Sequence, residues 1–165
     1  MLYQTYARVN LRNLKHNLQG IREHVGDLKV LFAVKANAYG HGAVEVAKFV
    51  QDEKLVDWLG VATVPEGIEL REAGVQLPIM KFTPSFRDEL SAAIEHNLSL
   101  TVVDEATISE ASEVAAELGT TADVQLAIDT GMRRVGCPPE HAVKLAQLLS
   151  DDPNLYFEGV FTHLP

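Results

Sequence analysis

Six short runs rich in Val, Ile, Leu and Phe constrain this chain more than any other feature: residues 30–34, 58–63, 78–83, 98–103, 122–129 and 157–163. A strand covered on one face alternates apolar with polar residues, whereas a run that is apolar throughout is buried on both faces. Between the runs lie longer segments with the three-and-four spacing of one helix face. Ile108, Ala111, Val114 and Leu118 follow that spacing, as do Ala142, Leu145 and Leu149 after Pro138-Pro139. Gly74 and Gly119 stand where a left-handed helix C-cap takes glycine. Ahead of the first run, Leu11, Leu14, Leu18, Ile21 and Val25 mark an extra helix entered from Asn10. Strands joined by helices predict an α/β chain, a parallel sheet covered by helices.

Periodicity does not separate a closed βα barrel from an open doubly wound sheet. A TIM-type barrel closes with eight strands and needs on the order of 250 residues. Here 165 residues supply six strands, which would leave two sheet edges exposed. The chain is therefore either an open sheet or part of something larger.

Composition narrows the ligands. The net charge is −9, from 23 acidic and 14 basic residues, without a Lys/Arg cluster. That balance argues against nucleic acid or an anionic membrane as a partner and leaves small metabolites. The single cysteine, Cys137, excludes a disulfide framework and a Cys-rich zinc site within the chain; it reads as a packed thiol. Residues 1–12 lack the apolar run of a secretory signal, and no stretch approaches the roughly 20 apolar residues that span a bilayer. The reading is cytoplasmic.

Chemistry concentrates in residues 34–42, Val34-Lys35-Ala36-Asn37-Ala38-Tyr39-Gly40-His41-Gly42. Lys35 closes the first apolar run, so its amine emerges at the carboxyl edge of the sheet, where parallel α/β folds bind ligands. Leaving an apolar environment disfavours a charged amine, and Schiff-base chemistry needs the neutral one. Gly40 and Gly42 flank a tight connection into a helix beginning near Ala43. Backbone amides there, with the Tyr39 hydroxyl, suit a phosphate. Local physics alone also accommodates a plainer alternative, a lysine reaching back into water beside turn glycines. The six histidines show no metal-ligand spacing.

Residues 34–42 resemble the cofactor-lysine signature of alanine racemases. Further matches follow in the family's order. Pro65-Glu66-Gly67-Ile68-Glu69-Leu70-Arg71-Glu72-Ala73-Gly74 with Pro78-Ile79-Met80 resembles its second helix and third strand. Asp129-Thr130-Gly131-Met132-Arg133-Arg134-Val135-Gly136 resembles its fifth strand-to-loop motif, and Gly159-Val160-Phe161-Thr162-His163 its sixth strand. The similarity runs through essentially the whole chain. It implies a partial (βα)8 barrel with about six of eight strands: residues 1–29 a leading strand and helix, residues 30–165 strands one to six. The last two strands and a C-terminal β-domain would lie beyond residue 165.

The resemblance also implies an enzyme. The cofactor would be pyridoxal 5'-phosphate held as an imine by Lys35, and the reaction the interconversion of L- and D-alanine, with D-alanine used in cell-wall synthesis. Racemisation needs an acid and a base on opposite faces of a planar intermediate. Lys35 serves one face; in the family a tyrosine of the partner subunit's C-terminal domain serves the other, so a homodimer is implied and residues 1–165 alone are expected to be inactive. Tyr39 matches a phosphate contact. Arg134 matches the arginine near the substrate carboxylate and the cofactor's phenolic oxygen, which a planar guanidinium suits; Arg133 reads as solvated. His163 matches a histidine linking the partner tyrosine toward the arginine that faces the pyridine nitrogen. Asp129 is expected to order its loop and His41 to support its turn. One departure stands out: many relatives carry a lysine, often carbamylated, where this chain has Ala127. A racemase of serine or another amino acid, and a pyridoxal-phosphate-binding protein without turnover, are the competing readings.

Overall fold

The computed structural model describes residues 6–165. Six strands appear in chain order: β1 (Leu31–Ala33), β2 (Trp58–Val61), β3 (Ile79–Lys81), β4 (Leu98–Val102), β5 (Ala122–Ile128) and β6 (Leu155–Thr162). Every neighbouring pair is parallel, and the spatial order is β1-β2-β3-β4-β5-β6. That order resolves the ambiguity left by periodicity. A doubly wound sheet reverses its strand order at a switch point, whereas a barrel winds in one direction throughout. This sheet winds in one direction.

The helices are α1 (Leu11–Val25), a left-handed turn α2 (Lys35–Gly40), α3 (Ala43–Asp52), α4 (Val64–Glu72), α5 (Arg87–Glu95), α6 (Glu105–Glu117) and α7 (Ala142–Asp151), the last preceded by a 3-10 turn over Pro139–His141. Asn10 caps α1 as expected, its side chain accepting from the amides of Arg12 and Asn13. Gly74 and Gly119 follow α4 and α6 with φ of 90° and 66°. Of the leading strand expected ahead of α1, residues 1–5 lie outside the described residues and residues 6–10 are not in a strand.

The core lies between the outer face of the sheet and the helices. Leu59, Val61, Leu98, Leu100, Val124 and Leu126 from the strands are at most 1% exposed. They meet Val50 of α3, Leu70 of α4, Ala93 of α5 and Leu149 of α7 in one cluster. Burial on both faces holds for β2, β3 and β4 but not for the outermost strands. Leu31 of β1 is 38% exposed and Val160 of β6 is 57% exposed. Each borders only one strand among the described residues, so part of its apolar surface meets no neighbour.

Arg71, at the end of α4, ties two layers together. Its Nε donates to the His96 carbonyl, Nη1 to the carbonyls of Val75 and Leu77, and Nη2 to that of Asn97, at 2.7–3.0 Å. The half-buried guanidinium thus sits against the carboxyl ends of α4 and α5, where orphan carbonyls and helix dipoles favour a cation. Burial pulls its pKa down from the ordinary arginine value.

On the inner face of the sheet, the β5–β6 register shifts between Val124 and Gln125, whose partners are Phe157 and Gly159. The extra residue is Glu158, and the Gln125 amide donates to its carboxylate at 3.4 Å. Burial raises the Glu158 pKa and Asp123 nearby raises it further, against hydrogen bonds from Ser99 and Gln125; burial raises Asp123 as well. An acid whose folded-state pKa is raised contributes its full stability below the ordinary carboxylate range and loses it as pH climbs through the raised value. Stability is therefore expected to fall from about pH 4 upward through this pair. Glu158→Gln should raise the thermal midpoint at neutral pH by up to a few degrees, the response to on the order of 1 kcal/mol in a domain of this size. Thermal unfolding of both proteins across that pH range checks it; identical curves would refute it.

Candidate active site

Lys35 opens a segment of unusual backbone. Ala36, Asn37, Ala38 and Tyr39 have φ between 50° and 54° and ψ between 39° and 49°, four consecutive left-handed residues of which none is glycine. Each such residue costs roughly 1–2 kcal/mol, so the turn must be held from outside. Sequence reasoning read a tight connection here; the structure makes it a left-handed helical turn. The Ala38 amide donates to the Val34 carbonyl at 2.7 Å, and the Gly42 amide to Asn37 at 3.0 Å. The Asn37 side chain accepts from the Ala43 amide at 2.7 Å, capping α3. His41 Nδ1 lies 2.8 Å from the Ala38 carbonyl and 3.1 Å from that of Tyr39, so His41 supports the turn as expected. Glu66 Oε1 accepts from the Ala36 amide at 2.7 Å. Strain concentrated this way is typical of functional sites.

The Lys35 side chain is half-buried, with Nζ 5.3 Å from the centre of the Phe82 ring, within the range of a cation–π contact. That ring lies over Gly60 of β2: a Cβ there would come within 2.0 Å of Phe82 Cζ. The amine faces a cavity of about 480 Å³ at the carboxyl ends of the strands, whose walls include Tyr39, Phe82, Ala127, Arg134 and His163. Residues from opposite ends of the chain, Lys35 and His163, thus line one cavity.

Arg134 reaches the cavity on the loop between β5 and the 3-10 turn. Asp129 orders that loop as expected, accepting from the Gly131 and Arg133 amides, each at 2.9 Å. The Arg133 and Gly131 amides hold its carboxyl below the usual carboxylate range. The loop closes where the Asp129 amide donates to the Cys137 carbonyl and the Cys137 amide to that of Ala127, both at 2.9 Å. The hydroxyls of Thr130 and Thr162 meet at 2.7 Å and tie the loop to β6 beside His163. Arg133 is exposed, and Cys137 is 2% exposed, a packed thiol whose pKa burial pushes up. Ala127 is 1% exposed on the cavity wall. Arg134 is exposed, and no carboxylate among the described residues pairs with it.

Three residues of this site escaped the sequence reading. Phe82 and Gly60 lie beside Lys35 only because β2 and β3 pair next to β1. Glu66 had a visible local signal, Thr63 three residues ahead of it in a capping box, but its bond to Ala36 spans 30 positions.

The profile of the alanine racemase N-terminal domain matches residues 9–165. The chain belongs to the alanine racemase family. An alanine racemase of Cutibacterium acnes is 47% identical over 161 residues, covering 98% of this chain and 43% of its own length. One from Treponema denticola is 40% identical over 160 residues, covering 96% and 42%. The solved alanine racemase of Clostridium difficile 630 in complex with cycloserine superposes with a TM-score of 0.95 at 40% identity, covering all of this chain and 46% of that one. The chain therefore spans less than half the length of these alanine racemases. The likeness shows the barrel-type α/β fold. Among the described residues, no helix is long and apolar enough to cross a membrane.

Proposed function

We propose that this chain supplies the cofactor lysine and one half of the catalytic site of an alanine racemase, interconverting L- and D-alanine with pyridoxal 5'-phosphate. The observation that carries the reading is the Lys35 amine at a cavity shared with Tyr39, Arg134 and His163, in a chain of this family. The residues fit the cofactor. A cavity of about 480 Å³ falls within the roughly 300–1,000 Å³ of small-molecule sites. An amine beside an aromatic face suits a flat aldehyde, and an arginine with a tyrosine hydroxyl suits its anionic groups.

Pyridoxal phosphate, when bound, delocalises the negative charge left at the α-carbon on proton removal. Lys35 would hold the cofactor and would move the α-proton at Nζ on one face. Arg134 would direct its guanidinium to the anionic groups of substrate and cofactor. Tyr39 hydrogen-bonds the phosphate. His163 orients the acid–base tyrosine that the partner subunit contributes on the opposite face, so the working unit is a homodimer. The methyl of Ala127 leaves Arg134 without the negative neighbour many relatives provide, a place that a chloride or another side chain could fill. Residues 30–165 are strands one to six of the barrel, and the product serves the cell wall from the cytoplasm.

The test is racemisation by the full-length protein over a panel of amino acids that includes alanine and serine. Alanine is expected to turn over fastest. Lys35→Ala should lower the rate by about a thousandfold or more, because proton transfer and covalent attachment are lost together. Undiminished turnover in that variant would overturn the mechanism, and faster turnover of serine would overturn the substrate.

A further inference from the structure

We infer that Glu66 is the positioning residue for the Lys35 amine, resting on the cofactor role proposed above for that lysine. The Glu66 carboxylate collects three backbone amides from two segments. Oε1 accepts from Ala36 at 2.7 Å; Oε2 accepts from Ala62 at 2.8 Å and from Thr63 at 3.1 Å. Ala62 and Thr63 join β2 to α4, whereas Ala36 follows Lys35 directly and begins the left-handed residues. One side chain therefore fastens the strained turn after β1 to the carboxyl end of β2. Gly60, two residues before Ala62, is the floor on which the Phe82 ring lies beneath the Lys35 amine. Lysine and ring are held to a common frame.

The Ala36 amide belongs to the first turn of a helix and has no intrahelical acceptor. Its bond to Glu66 is exposed, so water can replace the carboxylate as the acceptor, but water fixes no geometry. Without the carboxylate anchor, strain in four left-handed residues favours relaxation to right-handed or extended backbone. Relaxation would rotate the Lys35 Cα–Cβ bond away from the cavity. An ionised carboxylate is the side chain the position demands, because both of its oxygens accept and neither donates. Glutamine has the same shape but must present its NH₂ either to Ala36 or to the Ala62 and Thr63 amides. Setting a donor against a donor releases the turn or the cap.

The capping box separates positioning from stability. Thr63 accepts from the Glu66 amide through its hydroxyl at 3.4 Å, and among the described residues that hydroxyl makes no hydrogen bond with the turn at Ala36. Thr63→Ala should therefore lower the thermal midpoint without disturbing Lys35. The experiment uses the full-length protein and pyridoxal 5'-phosphate as the probe, trapping the Lys35 adduct by borohydride reduction and quantifying it by peptide mass. Glu66→Gln is expected to need about tenfold more probe for half-maximal trapping, the equivalent of one charge-assisted hydrogen bond. Thr63→Ala is expected to trap like wild type. Hydrogen exchange at the Ala36 amide in cofactor-free protein should speed up in Glu66→Gln and stay unchanged in Thr63→Ala. If Glu66→Gln does not fold, Glu66→Asp, which keeps the charge but falls one methylene short of spanning both segments, is read the same way. Wild-type trapping and exchange in the Glu66 variants, or an equal shift in Thr63→Ala, would overturn the positioning role. Trapping that survives Lys35→Ala would instead overturn the cofactor reading, leaving the exchange result to judge the clamp.

Discussion

Replacing Arg71 by methionine is expected to cost about 4 kcal/mol of stability, because four carbonyls, three of them in part-buried bonds, lose a charged donor at once. Methionine fills much of the space left by the arginine stem, so the loss measures the hydrogen bonds rather than a void. The carbonyls of Val75, Leu77, His96 and Asn97 lie on the segments that lead into β3 and β4. Releasing them should loosen the entry of two central strands together. Lysine should recover only part of the loss: a single ammonium cannot spread over four acceptors as a planar guanidinium does. Denaturant unfolding of the three proteins at constant slope measures the difference. A loss below about 1 kcal/mol for methionine would show that water satisfies these carbonyls as well as arginine does.

Gly136→Ala is expected to reduce both stability and catalysis. Gly136 has φ of 129°, and a Cβ there would come within 2.5 Å of the Asp129 amide nitrogen and 2.7 Å of the Ile128 carbonyl carbon. Both are backbone atoms at the end of β5, so nothing soft can yield. The contrast with Gly60 is instructive: its obstruction is the far edge of the Phe82 ring, which can swing aside at a smaller cost. For Gly136 the loop closure at Cys137 must open, and Met132 and Arg134 move with it. A stability loss of about 3 kcal/mol is expected from combined strain and contact. A fall of about a hundredfold in racemisation by the full-length protein is expected from the displaced guanidinium. Unfolding curves and steady-state rates check the two parts separately. A variant with wild-type stability would show that the loop tolerates the methyl and that the close approach is not a constraint.

Much of the architecture was legible in the linear pattern. Apolar runs such as residues 58–63 named strands to within a residue or two, because a strand buried on both faces needs no polar alternation. Caps at Asn10, Gly74 and Gly119 are local chemistry and were read locally. The four site residues were legible for a different reason: Lys35, Tyr39, Arg134 and His163 stand in motifs that resemble those of a family, and the cavity they share follows from strands that all point one way. What escaped was non-local or conformational. Nothing in Ala36-Asn37-Ala38-Tyr39 signals left-handed backbone, since three of the four residues have no tendency toward it. The open sides of β1 and β6 also ran against the reading of uniformly buried strands, because burial depends on neighbours as well as on composition.

The order of residues alone determined that helices would alternate with buried parallel strands, and that an amine would emerge where the first strand ends. It could do so because hydrophobic period, cap and turn chemistry act over a few positions along the chain. Only the tertiary structure decided that the sheet winds in a single direction and that Phe82 sits on Gly60 beneath Lys35. It alone showed the Glu66 carboxylate grasping an amide 30 residues away. Those outcomes depend on which strands become neighbours, and close contact between distant segments leaves no periodic trace in either one.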